Sequence, residues 1–126
     1  MKVKVGIMSF AHLHADSYAH CLKSNPRAEF VGIADHDTAR AQAKAQQFGV
    51  QAFDSYESLL SSEAQAVIIC SENVHHARLA QMAAAAGKHI LCEKPLMTKL
   101  DDGKAMLAAA QGAGVHLFTA FPCRFS

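Results

Sequence analysis

A parallel sheet with helices packed on both faces is the fold predicted for this chain, and three observations carry the prediction. Short β-type runs alternate with longer helical patterns from one end to the other, a sequence of elements that closes only as a layered α/β structure. Capping residues and helix-stopping residues fall between the runs, where such a structure needs them. The chain has 126 residues of which 51% are hydrophobic, enough for one core and one domain.

Six strands are predicted: Val3 to Met8, Phe30 to Ala34, Gln51 to Phe53, Ala66 to Cys70, His89 to Cys92, and Val115 to Ala120. Between the first two, Ala11, Ala15, Ala19 and Leu22 repeat at helical spacing, and Asn25-Pro26 stops the helix because proline forces its predecessor out of the α region. Asp37 is the expected N-cap of a helix running to Phe48, with Gly49 as the left-handed residue past its end. Asp54 and Glu57 stand at capping-box spacing before a short helix through Leu60. The alanine-rich stretch from about His75 to Ala86 stops at Gly87, and Thr98 with Asp101 opens a last helix that finishes near Gly112. Right-handed crossovers leave few ways to join such units. The strand order 3-2-1-4-5-6 of a Rossmann-type doubly wound sheet is predicted, with ligands at the carboxyl ends of the strands.

Composition excludes several partner classes. Net charge is +1, with acids and bases interspersed and no run of Lys or Arg to mark a nucleic-acid or anionic-membrane footprint. No stretch approaches the roughly 18 apolar residues of a membrane span, and the N-terminus lacks a signal-peptide core. Cys21, Cys70, Cys92 and Cys123 show no CxxC spacing and read as reduced, buried cysteines of a cytoplasmic protein. A small-molecule partner is expected.

The turn after the first strand is where a dinucleotide-binding sheet places G-x-G-x-x-G, since the backbone must turn tightly and approach a pyrophosphate closely. Here Ser9, Ala11 and His14 occupy those positions. The backbone N–H groups at Phe10 and Ala11, the Ser9 hydroxyl, and His12 or His14 are the candidate phosphate ligands. A reading in which they only cap a helix stays open, as does a zinc site in which His12 and His14 meet His75 and His76. The second strand ends in Asp35, a little over twenty residues beyond the turn, where a carboxylate accepts from the adenosine ribose hydroxyls. It also repels a 2′-phosphate, favouring NAD over NADP, a preference that His36 softens.

After the fourth strand comes Ser71-Glu72-Asn73-Val74-His75-His76, and around the fifth comes Gly87-Lys88-His89-Ile90-Leu91-Cys92-Glu93-Lys94-Pro95. With these two segments the chain resembles the Gfo/Idh/MocA family, glucose-fructose oxidoreductase and inositol dehydrogenase among its members, whose pattern is T-P-N-x-x-H followed by G-K-H-V-x-x-E-K-P. Glu72 departs from the proline of that pattern. Phe121-Pro122-Cys123-Arg124-Phe125 is similar to the family's G-F-x-x-R-F segment, with Ala120 in the glycine position.

The resemblance implies an NAD(P)-dependent oxidoreductase that moves a hydride to or from a sugar, polyol or related hydroxy compound. It assigns Lys94 the catalytic role, polarising the substrate oxygen and relaying its proton, a task suited to a lysine whose pKa falls by desolvation. It places Glu93 near the nicotinamide and its ribose, and Ser71, Asn73, His76 and Arg124 along the cofactor cleft. His89 is expected to be packed or satisfied within the sheet. The resemblance further implies a second, substrate-binding domain beyond residues 1–126, so this domain is expected to bind dinucleotide without turnover and to hide its apolar last strand in a homo-oligomer. A catalytically silent dinucleotide-binding module is the alternative, and a methyltransferase is disfavoured by the E-K-P segment.

Overall fold

The computed structural model describes residues 2–11, 15–71, 76–93 and 100–120. Six strands run in the order β3-β2-β1-β4-β5-β6, and every neighbouring pair is parallel. They are β1 (Val3–Met8), β2 (Ala28–Ala34), β3 (Gln51–Ala52), β4 (Ala66–Ile69), β5 (His89–Glu93) and β6 (Leu117–Ala120). Five helices alternate with them: α1 (Ala15–Ser24), α2 (Thr38–Phe48), α3 (Tyr56–Leu60), α4 (His76–Ala85) and α5 (Leu100–Ala113). The predicted order is the observed one, because a parallel neighbour can be reached only through a crossover and each crossover here carries a helix.

Alternation of side chains along the strands divides the core into two layers. On one face Val5, Ile7, Ile33 and Ile68 pack against Ala15 and Ala19 of α1 and Ala41, Ala45 and Phe48 of α2. On the other, Met8, Val67, Ile69, Ile90 and Cys92 meet Leu59 of α3, Leu79 and Ala83 of α4, and Met106 of α5. Small residues on α1, α2 and α4 let these helices sit close to the sheet. Gly6 and Gly32, cross-strand partners in β1 and β2, do the same for the α3 layer, since a Cβ on either would run into Leu59 or Phe53.

Among the described residues helix ends follow their punctuation with one exception, and the Thr98 cap expected for α5 lies outside them. Asp37 caps α2 by accepting from Arg40 N, and Gly49 closes it at φ 69° with its own N–H on Ala45 O. For α3 the cap is Ser55 and not Asp54: the Ser55 hydroxyl accepts from Ser58 N at 3.0 Å. The two residues are adjacent and both are good caps, so sequence spacing alone favoured the one with a Glu three places on. Cys21, expected to be buried, is exposed on α1, while Cys70 and Cys92 are buried. Among the described residues no helix is long and apolar enough to cross a membrane.

Candidate functional site

The sheet order reverses between β1 and β4, and the crevice outside the carboxyl ends of these strands is the ligand position of a doubly wound sheet. Three segments border it: the turn after β1, the end of β2, and Cys70-Ser71 after β4.

The turn is held from below at every described backbone donor. Ser9 N donates to Ala34 O at 2.7 Å, Phe10 N donates to Asp35 Oδ2 at 2.8 Å, and Ala11 N donates to Ser9 Oγ at 3.1 Å. Ser9 adopts φ 78°, the left-handed conformation that the first glycine of the usual motif supplies. A serine at this strained position is buried, and its hydroxyl braces Ala11 N. The Phe10 side chain is buried against Phe48, with Lys44 Nζ 5.7 Å from its ring centroid, while Lys44 also bonds Asp16 at 2.8 Å. These contacts tie the turn to both α1 and α2.

Asp35 follows β2 directly, and its side chain has no exposed surface. Oδ2 accepts from Phe10 N and from Arg40 Nε at 2.7 Å; Oδ1 accepts from Asp37 N at 3.0 Å and from Arg40 Nη2 at 2.8 Å. Burial pushes the Asp35 carboxyl up, but the Arg40 guanidinium and the two backbone N–H groups outweigh it and hold the group below the ordinary carboxylate value. Tyr56, from α3, lies alongside: its hydroxyl accepts from His36 N at 3.2 Å. Burial pushes the Tyr56 hydroxyl up, with the negative charge of Asp35 adding to it and the bonds to His36 and Ser9 opposing it.

Ser71, after β4, is buried beside the same crevice. His76 opens α4 and Glu93 ends β5, both on the carboxyl edge; only their backbone is described. His12, His14, Asn73, His75, Lys94 and Arg124 lie outside the described residues, and the zinc grouping of histidines lies there with them. His89 is exposed, yet its Nδ1 accepts from His116 N at 3.1 Å and its ring stacks on that of His116.

Arg40 and Tyr56 are site residues that motif reading passed over. Arg40 had a local signal: an acid two residues before an N-cap and an arginine three residues after it bring the two side chains to the same end of α2. Tyr56 had none, because it reaches Asp35 from an element beyond β3.

A parallel sheet of this order, with a braced turn and a buried acid at its switch point, defines a dinucleotide-binding domain of the dehydrogenase class. The chain matches the Gfo/Idh/MocA oxidoreductase family, NAD-binding Rossmann fold, over residues 3–121, and it belongs to that family. It is 38% identical over 122 residues to D-xylose 1-dehydrogenase (NADP(+)) 2 of Haloferax volcanii, covering 95% of this chain and 37% of that protein. Myo-inositol 2-dehydrogenase of Thermotoga maritima is 32% identical over 123 residues, covering 96% and 36%. A 3-ketoreductase from Actinomadura kijaniata, solved with TDP-benzene and NADP, superposes with a TM-score of 0.88 at 30% identity, covering 96% of this chain and 39% of that one. The chain thus spans less than two fifths of the length of these relatives.

Proposed function

We propose that this chain is the dinucleotide-binding domain of an NAD(P)-dependent dehydrogenase acting on a sugar, polyol or related hydroxy compound. The observation that carries the reading is Asp35, buried and ionised at the end of β2 and bonded to the turn after β1, the place where an adenosine ribose meets this fold. The residues fit a dinucleotide. The left-handed Ser9 gives the tight turn, Ala11 is small where a pyrophosphate approaches, and Ser9, Phe10 and Ala11 serve by shaping that turn, their N–H groups and the Ser9 hydroxyl being bonded within the protein, while His12 is the proposed phosphate ligand.

The nicotinamide cofactor supplies the hydride-accepting ring when bound; the chain supplies position and a proton path. Ser71, Asn73, His76 and Arg124 are assigned to cofactor binding, on the match of their segments to the family pattern. Glu93 is assigned to the nicotinamide ribose, and Lys94 to polarising the substrate oxygen and relaying its proton. Substrate recognition belongs to further chain of the kind that makes up the rest of the relatives, so residues 1–126 alone bind cofactor without turnover. The exposed thiol of Cys21 fits a reducing, cytoplasmic location.

The direct test is calorimetric titration of the chain with NADH and NADPH, where saturable binding to one or both is expected and no binding to either sinks the reading. Within a full-length protein carrying this domain, Lys94→Ala should lower kcat by about 10²–10⁴-fold with cofactor affinity changed little. A silent binding module is favoured by the glycine-poor turn, and an unchanged kcat in that variant would select it.

A further inference from the structure

Resting on the proposed dehydrogenase role, we infer that Lys88 and His89 are positioning residues, which pin the foot of β5 so that Glu93 at its other end, and Lys94 next in the chain, arrive at the right height on the carboxyl edge. The segment G-K-H-x-x-x-E-K-P runs along this one strand. Its second half carries the roles assigned above. Its first half stands at the amino edge of the sheet, His89 being roughly 13 Å along the strand from Glu93, too far to touch a ligand there. Each of the three residues makes a different attachment. Gly87, at φ 76°, closes α4 with its N–H on Ala84 O, and Lys88 N donates to Ala83 O. Lys88 Nζ donates to Ser62 O at 3.2 Å, in the loop between α3 and β4. His89 N donates to Gln65 O at 3.1 Å on the β4 side; on the β6 side its ring Nδ1 accepts from His116 N at 3.1 Å while the ring stacks on that of His116. Side chains alternate along a strand, so Lys88 and His89 fasten β5 from opposite faces.

These two side-chain bonds supply what the hydrophobic pattern of β5 lacks. Slipping the strand by one residue would turn the buried Ile90 and Cys92 to the other face, and the alternation forbids it. A slip of two keeps the alternation and carries Glu93 about 7 Å along the strand. Backbone pairing gives limited protection, since it runs only from Ala66 and His89 to Ile69 and Cys92 on one side, and from Ile90 and Leu117 to Glu93 and Ala120 on the other. The bonds to Ser62 O and from His116 N break on a slip of either kind, and they resist smaller displacements too. Small displacements matter here, because a misplacement of about 1 Å at reacting groups can cost roughly 100-fold in rate.

The test uses a full-length protein carrying this domain, with kcat expressed per cofactor-binding molecule so that unfolded material does not count. His89→Phe keeps a stacking ring and removes the acceptor; Lys88→Met keeps the stem and removes the donor. His89 is exposed and Lys88 half-buried, so each variant is expected to fold, and either one alone decides the matter if the other does not. Each should lower kcat by about tenfold, with the Kd for the reduced dinucleotide within about twofold of wild type. His89→Asn places an acceptor oxygen as many bonds from Cβ as Nδ1 is, and should return kcat to within about twofold of wild type. Nitrogen NMR of the 126-residue chain at neutral pH should show His89 with its proton on Nε2 and Nδ1 bare. An unchanged kcat in the Phe and Met variants, a loss that Asn does not return, equal weakening of cofactor binding, or a proton on Nδ1 overturns the inference and leaves the dehydrogenase role intact. A wild type that binds dinucleotide and turns over no sugar or polyol removes that role, and the inference with it.

Discussion

Asp35 binds three segments together through one carboxylate: the turn after β1, the start of α2, and its own strand end. Removing its charge while keeping its shape, as in Asp35→Asn, leaves Arg40 without its counter-ion and forfeits charge-assisted bonds. Such bonds are worth about 1.5–3 kcal/mol each, and Arg40 recovers part through solvent, so a net loss of about 2 kcal/mol is expected in chemical denaturation. The pH dependence has a definite sign. With its folded value below the ordinary 3.8, the Asp35 carboxylate contributes stability that is complete above that pH and disappears as acid drives it through the lower folded value. Wild type should therefore lose its advantage over Asp35→Asn as pH falls below about 4; a gap that stays constant down to strong acid would contradict the ion pair. Ser9 offers a paired comparison. Its left-handed backbone costs about 1 kcal/mol and its hydroxyl bond to Ala11 N returns a similar amount. Ser9→Gly should come out within about 1 kcal/mol of wild type, because strain and bond leave together, while Ser9→Ala keeps the strain, loses the bond and melts lower. Equal melting of the two variants would mean that the hydroxyl braces nothing.

At the scale of elements, α2 is the clearest case of local chemistry dictating structure: cap, alanine face and left-handed stop are consecutive in the chain and all three form as written. The contact of α3 with the sheet is different in kind. On the α3 side it depends on Gly6 in β1, where a Cβ would stand 2.7 Å from Leu59 Cδ1, and beside β3 the packing depends on Gly32 in β2, where a Cβ would stand 2.3 Å from Phe53 Cε2 and 2.8 Å from Gln51 O. The carbonyl belongs to the neighbouring strand β3 and has little room to retreat. Gly32→Ala is accordingly expected to destabilise by about 1–3 kcal/mol, measured by denaturant midpoint at constant m-value, and a neutral result would show that β3 and the following loop shift freely.

For the whole molecule, the exposed flank is β6. It ends the sheet, and its Phe118 is 59% exposed, with a ring stack running from His89 through His116 to Phe118. An edge strand carrying a large exposed aromatic is a surface that proteins normally cover. The homo-oligomer expected from the sequence would cover it, and light scattering on wild type and Phe118→Asp tests this: an oligomer is expected for the first and a monomer for the second. A wild type that stays monomeric at high concentration would remove the proposal.

Much of the architecture was legible in the residues themselves. Alternating periodicities, caps and glycines gave six strands in the right places, with ends displaced by a residue or two, and handedness rules then left one strand order; these signals are local or combine by simple geometry. Of the motif residues, Ser71, His76 and Glu93 stand on the carboxyl edge for the same reason, since they follow or end their strands in the chain. What sequence could not contain was the occupancy of Asp35. Spacing made it an open acceptor for ribose, but whether a carboxylate's oxygens are already taken depends on donors from the β1 turn and α2, and on Tyr56 of α3 lying alongside, which come together only when the sheet is wound. Periodicity is a property of neighbours along the chain, and hydrogen-bond saturation is a property of neighbours in space.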